Sequence, residues 1–216
     1  MKNFYIIILI IPVLLSGCKN TDWGALYRAG EEEQEKYRNT LSDENYKKAL
    51  KLFDQVIKGS PEYRNSALMQ SSVILTWAER YDEAIRMAEQ ISDTAKVLQM
   101  YCNKKTVYIN MIYANKAMSR YDFDEHDIYS KKMADEMRPY LYERKQLIYE
   151  AINKQHEFYS DSGTKTLKLY DPNLQALIIY FMALDSEEAR EEIHSWKTGL
   201  PETNEATEAF FNFFDF

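Results

Sequence analysis

Glycine and proline are scarce in this chain, at six and five among 216 residues. With so few turn formers and little strict alternation of apolar and polar residues, a fold of many short strands is excluded and helices are favoured. Cysteine is rarer still, at two, so no disulfide framework staples the fold and the apolar core must suffice. Basic side chains are outnumbered, 27 Lys and Arg against 34 Asp and Glu, for a formal net charge of −7. Such a body does not seek the phosphates of nucleic acid. It also offers no polybasic patch to anionic lipid. Motifs of chemistry are missing as well: there is no HExxH, no pair of closely spaced cysteines and no Gly-rich phosphate loop. The apolar run at the start extends only from Phe4 to Leu15, with Pro12 inside it. That is short of the ~20 residues a membrane-spanning helix needs.

What is present at the start is a signal-like pattern. Lys2 supplies a positive charge, the short apolar run follows, and Leu15-Ser16-Gly17-Cys18 closes it. These four residues resemble the lipobox of bacterial lipoproteins. The resemblance implies that residues 1–17 are a signal peptide and that the Cys18 thiol receives a diacylglyceryl group. Cleavage before Cys18 and acylation of the new amine would follow. Two or three chains hold a protein firmly on a bilayer where one does not. The implied location is therefore the cell envelope, lipid-anchored, with no cofactor beyond the covalent lipid. Lys19 stands where an Asp favours inner-membrane retention in some bacteria, which points to the outer membrane. Residues 18–24 form a lipidated tether.

Beyond the tether, apolar residues recur at helical spacing. Trp23, Leu26 and Tyr27 open a first helix, and Gly30 to Lys36 read as its acidic exposed continuation. Ser42-Asp43-Glu44-Asn45 resembles a helix cap. The next helix carries Tyr46, Ala49, Leu50, Phe53, Val56 and Ile57 until Gly59-Ser60-Pro61. Helices are expected over 62–79, Glu83–Ile91 and Thr94 to about Arg120; Tyr121 to Asp127 reads as a polar, acidic segment, and a further helix follows to Met137. Pro139 is expected to separate the last of these from a helix reaching about Tyr159. Asp161-Ser162-Gly163 reads as a turn and Thr164 to Tyr170 as a short extended piece. Asp171-Pro172 starts a helix whose span Leu174–Leu184 is apolar nearly all round, which requires burial on several sides. Asp185-Ser186-Glu187-Glu188 starts another that ends near Gly199. Five phenylalanines in the tail 210–216 require docking on the body or on a partner.

Two segments share a pattern. Tyr46-Lys47-Lys48-Ala49-Leu50 with Phe53, Val56 and Pro61 parallels Tyr81-Asp82-Glu83-Ala84-Ile85 with Ala88 and Ile91. Their offset is close to the ~34-residue period of tetratricopeptide repeats, whose second helix they resemble. The resemblance implies that Ala49 and Ala84 allow close helix approach, with Phe53 and Ala88 filling the contact. Leu68, Ser71, Ser72 and Leu75 match the preceding helix loosely. Lys96 stands where a second proline would fall, and Glu33 and Lys36 stand where the first unit would carry apolar residues. The expected fold is all-α: antiparallel helical hairpins stacked as a short tetratricopeptide-like right-handed solenoid. Repeats occupy residues 25–95, and 96–216 add further hairpins in the same domain. An unrelated helical bundle is the alternative.

Candidate chemistry is sparse. His126, His156 and His194 are far apart in sequence. Asp122, Asp124, Glu125, His126 and Asp127 offer oxygens for Ca²⁺, but an EF-hand needs Gly and Glu where Asp127 and Met133 stand. Acidic residues also favour a helix N-terminus through its dipole. Glu187-Glu188 and Glu191-Glu192 read as solvated helix faces, and Ser71-Ser72 belongs to no nucleophile motif. With Cys18 acylated, Cys102 is left alone, as a small buried hydrophobe or a reactive thiol. Tyrosine is abundant, at 17. Tyr101, Tyr108 and Tyr113 on one expected helix suit core packing or an aromatic groove. The resulting expectation is a non-catalytic envelope scaffold that binds a protein or peptide partner. A toxin-neutralising lipoprotein and an envelope hydrolase are the alternatives.

Overall fold

A computed structural model describes residues 21–154, 158–161, 164–167, 171–201, 205–212 and 214. Among these the fold is helical except for one two-stranded hairpin. Helices α1 (Trp23–Thr40), α2 (Asp43–Gly59), α3 (Arg64–Trp77) and α4 (Tyr81–Glu89) come first. A 3₁₀ helix (Lys96–Tyr101) then leads to α5 (Lys105–Ser119), α6 (Phe123–Glu143) and α7 (Lys145–Lys154). Strands β1 (Phe158–Asp161) and β2 (Thr164–Leu167) precede α8 (Pro172–Ala183), α9 (Ser186–Thr198) and α10 (Glu205–Asn212). No described helix is long and apolar enough to cross a membrane.

From α1 to α6 each α-helix packs against the next, as short connections between apolar-faced helices require. The hairpins share a direction. At one end Trp23 lies against Gly59, the Asn65 side chain accepts from the Ser92 amide at 3.0 Å, and Lys105 donates to the Ile91 carbonyl at 2.9 Å. At the other end Arg80 donates to the Tyr46 hydroxyl at 2.5 Å and Lys116 to Asp82 at 2.6 Å. The turns bearing Leu41, Glu79 and Tyr121, each with φ near +55°, share that second end.

The α1/α2 contact is made where sequence frame and structure differ. The segment Gly30–Lys36 is not uniformly exposed: Gly30 and Gln34 are buried, and so is Tyr37 one turn on. A hairpin this long keeps a stripe of contacts three and four residues apart, so positions beside the expected Glu33 and Lys36 take the inner face. A Cβ on Gly30 would lie 2.5 Å from the ring of Phe53, itself fully buried. Gly30→Ala will therefore destabilise the protein by about 1–3 kcal/mol through overpacking, although alanine is the better helix former by ~1 kcal/mol. Urea unfolding followed at 222 nm checks this; a more stable variant would show that Phe53 gives way. In the α3/α4 pair the buried Ser72 hydroxyl donates to the Ala84 carbonyl at 2.8 Å, which brings the two backbones close.

Three expected boundaries are corrected. The single helix Thr94–Arg120 is split, because Cys102 and Asn103 both take φ of 57°. Asparagine tolerates the left-handed region, and the Asn103 amide closes the break on the Leu98 carbonyl at 2.9 Å. The 3₁₀ turn puts Leu98 and Tyr101 on one face, both buried, with the segment against α8. Pro139 does not end its helix; α6 runs through it to Glu143. A mid-helix proline costs about 3 kcal/mol locally. Tertiary bonds offset it: Arg138 holds Tyr180 and Glu188 of α8 and α9, Met137 and Leu141 are fully buried, and Lys104 donates to the Glu136 carbonyl at 2.8 Å. The helix expected to reach Tyr159 stops at Lys154, and Phe158–Asp161 instead pairs antiparallel with Thr164–Leu167. Aromatic residues before a Ser-Gly pair favour such a hairpin.

Other signals hold. Asp171 accepts from the amides of Asn173 (2.7 Å) and Leu174 (3.2 Å) ahead of α8, and Asp185 from those of Glu187 and Glu188 ahead of α9. Ser42 takes the cap position of α2 without a side-chain capping bond. Helix α8 packs against α6, α7, α9 and the 3₁₀ helix, as its apolar surface demands. The described part of the tail docks on the body: Phe210, Phe211 and Phe214 are buried, with α10 on α7 and α9, and Phe213 and Phe216 lie outside the described residues.

Candidate functional site

Three adjoining depressions form a groove. The first, about 440 Å³, lies between α3, the start of α4 and α5, and is walled by Val73, Trp77, Tyr108, Met111 and Met118. The second, about 220 Å³, lies between α5, α6 and α8. It shares Met111 and Asn115 with the first. The third, about 290 Å³, reaches the start of α9 and shares His126, Ser130, Met182 and Ala183 with the second. The walls of the first two are mostly methionine and other apolar side chains, and the third is mostly polar. Met182 is 76% exposed, and Trp77 and Met118 about two-fifths exposed. Methionine is flexible and polarisable, so such a wall adapts to the shape that enters it.

These residues reach one groove because α3 and α5 run in the same sense, with α4 between them. Helix α6 then returns along α5 and receives α8. The helix periods do the rest: Met111, Asn115 and Met118 lie three and four apart on one face of α5.

Polar groups gather at the α6–α9 end. His126 Nδ1 is 3.0 Å from Asp127 Oδ1, and His126 Nε2 is 3.4 Å from the buried Ser130 Oγ. The order hydroxyl, imidazole, carboxylate is that of a hydrolytic triad. It also arises simply from residues one and four apart on a helix. Beside it, Arg138 is held between two carboxylates, paired with Glu188 and 3.5 Å from Glu192. At the other end Lys116 holds the Asp82 carboxyl below its ordinary range by a hydrogen bond.

The acidic cluster 122–127 is a helix start. Asp122 accepts from the Glu125 amide at 3.0 Å, and Asp124 and Glu125 occupy the first turn of α6. Among the described residues no three His, Cys, Asp or Glu side chains converge as metal ligands would. His194 is exposed on α9 and far in the chain from His126, and His156 lies outside the described residues. Tyr101 and Tyr108 are buried with ring centroids 4.7 Å apart, and Tyr113 is half-buried and stacked on Tyr129. Of the three, Tyr108 borders the groove. Cys102 is a free, buried thiol whose burial pushes its pKa up to about 12, against smaller pulls from Lys104 and Arg144. Cys18 lies outside the described residues. Sequence reading passed over Met111, Met118 and Met182, since a methionine at helical spacing reads as core; the 76% exposure of Met182 is a tertiary outcome.

Comparison with protein-family models, with curated proteins and with solved structures gives no match.

Proposed function

We propose that this chain is a lipid-anchored envelope protein that holds a polypeptide partner in its groove and performs no chemistry on it. The observation that carries the reading is the open, methionine-walled groove across α3, α5 and α8. An exposed apolar concavity of this kind is a contact surface by default. The close α3/α4 contact at Ser72 and Ala84 supports tetratricopeptide-like stacking of the hairpins. The lipobox-like Leu15-Ser16-Gly17-Cys18 supports acylation of Cys18.

Cys18 is five residues before Trp23, within about 18 Å along an extended chain. A lipid there would hold the Trp23–Gly59 end at the membrane. The mouth between Trp77 and Met118 lies at the other end of α3, about 21 Å away, and would face the partner.

Metabolic labelling with an alkyne palmitate tests the anchor. Label should enter the protein and be lost in Cys18→Ser, with the body released from membranes. Photo-crosslinkers test the groove: at Met118 and Met182 they should trap one protein partner, and at Lys51 on the exposed face of α2 they should not. Equal capture at all three sites overturns the groove. A second reading, an envelope hydrolase, is favoured by the Ser130–His126–Asp127 line alone. A fluorophosphonate that labels the protein, but not Ser130→Ala, would replace binding with catalysis; the proposal expects no label.

A further inference from the structure

The groove is not electrically even. At its α6–α9 end stand Asp127, Asp185 and Glu188. Glu188 shares the single guanidinium of Arg138 with Glu192, which leaves one carboxylate charge of that trio uncompensated. Asp127 faces only the His126 ring among ion-pairing groups described, and its side chain is 80% exposed. Lys131 also lines this end, but its ammonium leans on Asp135 at 3.7 Å, so three lining carboxylates stand against one lining cation that has a partner of its own. At the opposite end, Lys116 is neutralised by Asp82. One end is thus apolar and balanced, and the other is negative beside an apolar wall.

From this asymmetry we infer that the occupant is a segment of a partner protein with an apolar stretch flanked on one side by lysine or arginine. The inference rests on the binding reading above and adds the chemistry of the partner. The apolar side chains lie between Trp77, Met111 and Met118. The basic residues end beside Asp127 and Asp185, and Met182 contacts the join. Carboxylates next to an apolar wall attract a cation more strongly than the same charges in open water, because the wall excludes solvent on one side. An acidic segment meets like charge and is refused.

The test uses the full acylated chain in nanodiscs on a biosensor, with empty discs as reference. Two synthetic peptides share a Leu/Met/Ala core and end in three lysines or three glutamates. The lysine-ended peptide should bind at least about tenfold more tightly at ~50 mM salt, and the preference should shrink at ~0.5 M. Asp127→Asn with Asp185→Asn should reduce the preference to within about threefold. Asparagine still caps α9, so that loss reads charge rather than folding. Met182→Ser, which removes the apolar contact without adding charge, should weaken binding of the lysine-ended peptide. If both peptides bind alike and Met182→Ser weakens both, the charge preference is wrong and the groove stands. If neither binding event responds to Met182→Ser, the groove reading falls with it.

Discussion

Above pH 10 the chain will unfold cooperatively, with its buried phenols ionising in the same step as its helices melt. Tyr101, Tyr108, Tyr149 and Tyr180 are each less than a tenth exposed. Burial raises the pKa of all four: Tyr149 to about 12, and the others further. Arg138 partly counters the rise at Tyr180 through a hydrogen bond. In the unfolded chain the same phenols titrate near 10. Below pH 10 both states hold these protons and the native contribution is whole. Between pH 10 and 12 the unfolded state has released protons that the native state keeps, so each further unit of pH favours unfolding. The slope is about 1.4 kcal/mol per unit for each buried tyrosine. Four such groups exhaust a typical stability of about 5–15 kcal/mol within roughly one to three units. Cys102 adds to the slope from its ordinary value near 9 up to about 12. Phenolate absorbance and ellipticity at 222 nm should therefore change together above pH 10, after a gradual titration of the exposed tyrosines. Complete ionisation with the helices intact would show that water reaches these rings in the native state.

Tyr101 and Tyr108 also show what a sequence discloses. Both are legible as large rings at helical spacing that suit core packing or a groove, but the choice between the two is not, because their burial depends on α8 and α3, remote in the chain. Local chemistry was readable wherever it closes within a few residues. The Asp171 and Asp185 caps, the Gly59-Ser60-Pro61 stop and the acidic start of α6 all act over one turn. Breaks set by tertiary contacts were not readable. Pro139 ends a helix by its own chemistry, and continues here only because Arg138 and Lys104 are bonded to or from distant elements. The break at Cys102 had one clue, Asn103, whose left-handed tolerance is a weak signal against strong flanking periodicity. The groove was the least legible feature. Its walls come from six helices, and nothing in one stretch of chain says that Met111 and Met182 share a cavity.

Replacing Trp196 by alanine will cost about 3–5 kcal/mol, the range for a fully buried aromatic residue lost with its cavity left behind. The indole is 0% exposed and anchors α9, whose only other buried residues are Ala189 and Ile193. Tyr142, Tyr149 and Phe181 meet it edge-on at centroid distances of 5.5, 5.7 and 6.5 Å, and Lys145 lies 5.0 Å from the ring centre. The Tyr149 hydroxyl donates to the Trp196 carbonyl at 2.9 Å, which ties α7 to the same point. Among the described residues the indole Nε1 finds no acceptor. Trp196→Phe, which keeps most of the ring and removes that unpaired donor, should therefore cost much less than the alanine variant. The damage should also be local at first. Helix α9 sits between α8 and α10, so hydrogen exchange in Trp196→Ala should accelerate in α9 and α10 before it does in α1–α4. A uniform rise across all helices would mean that the two halves of the molecule unfold as one cooperative unit, and that α9 is not an independently loosened edge.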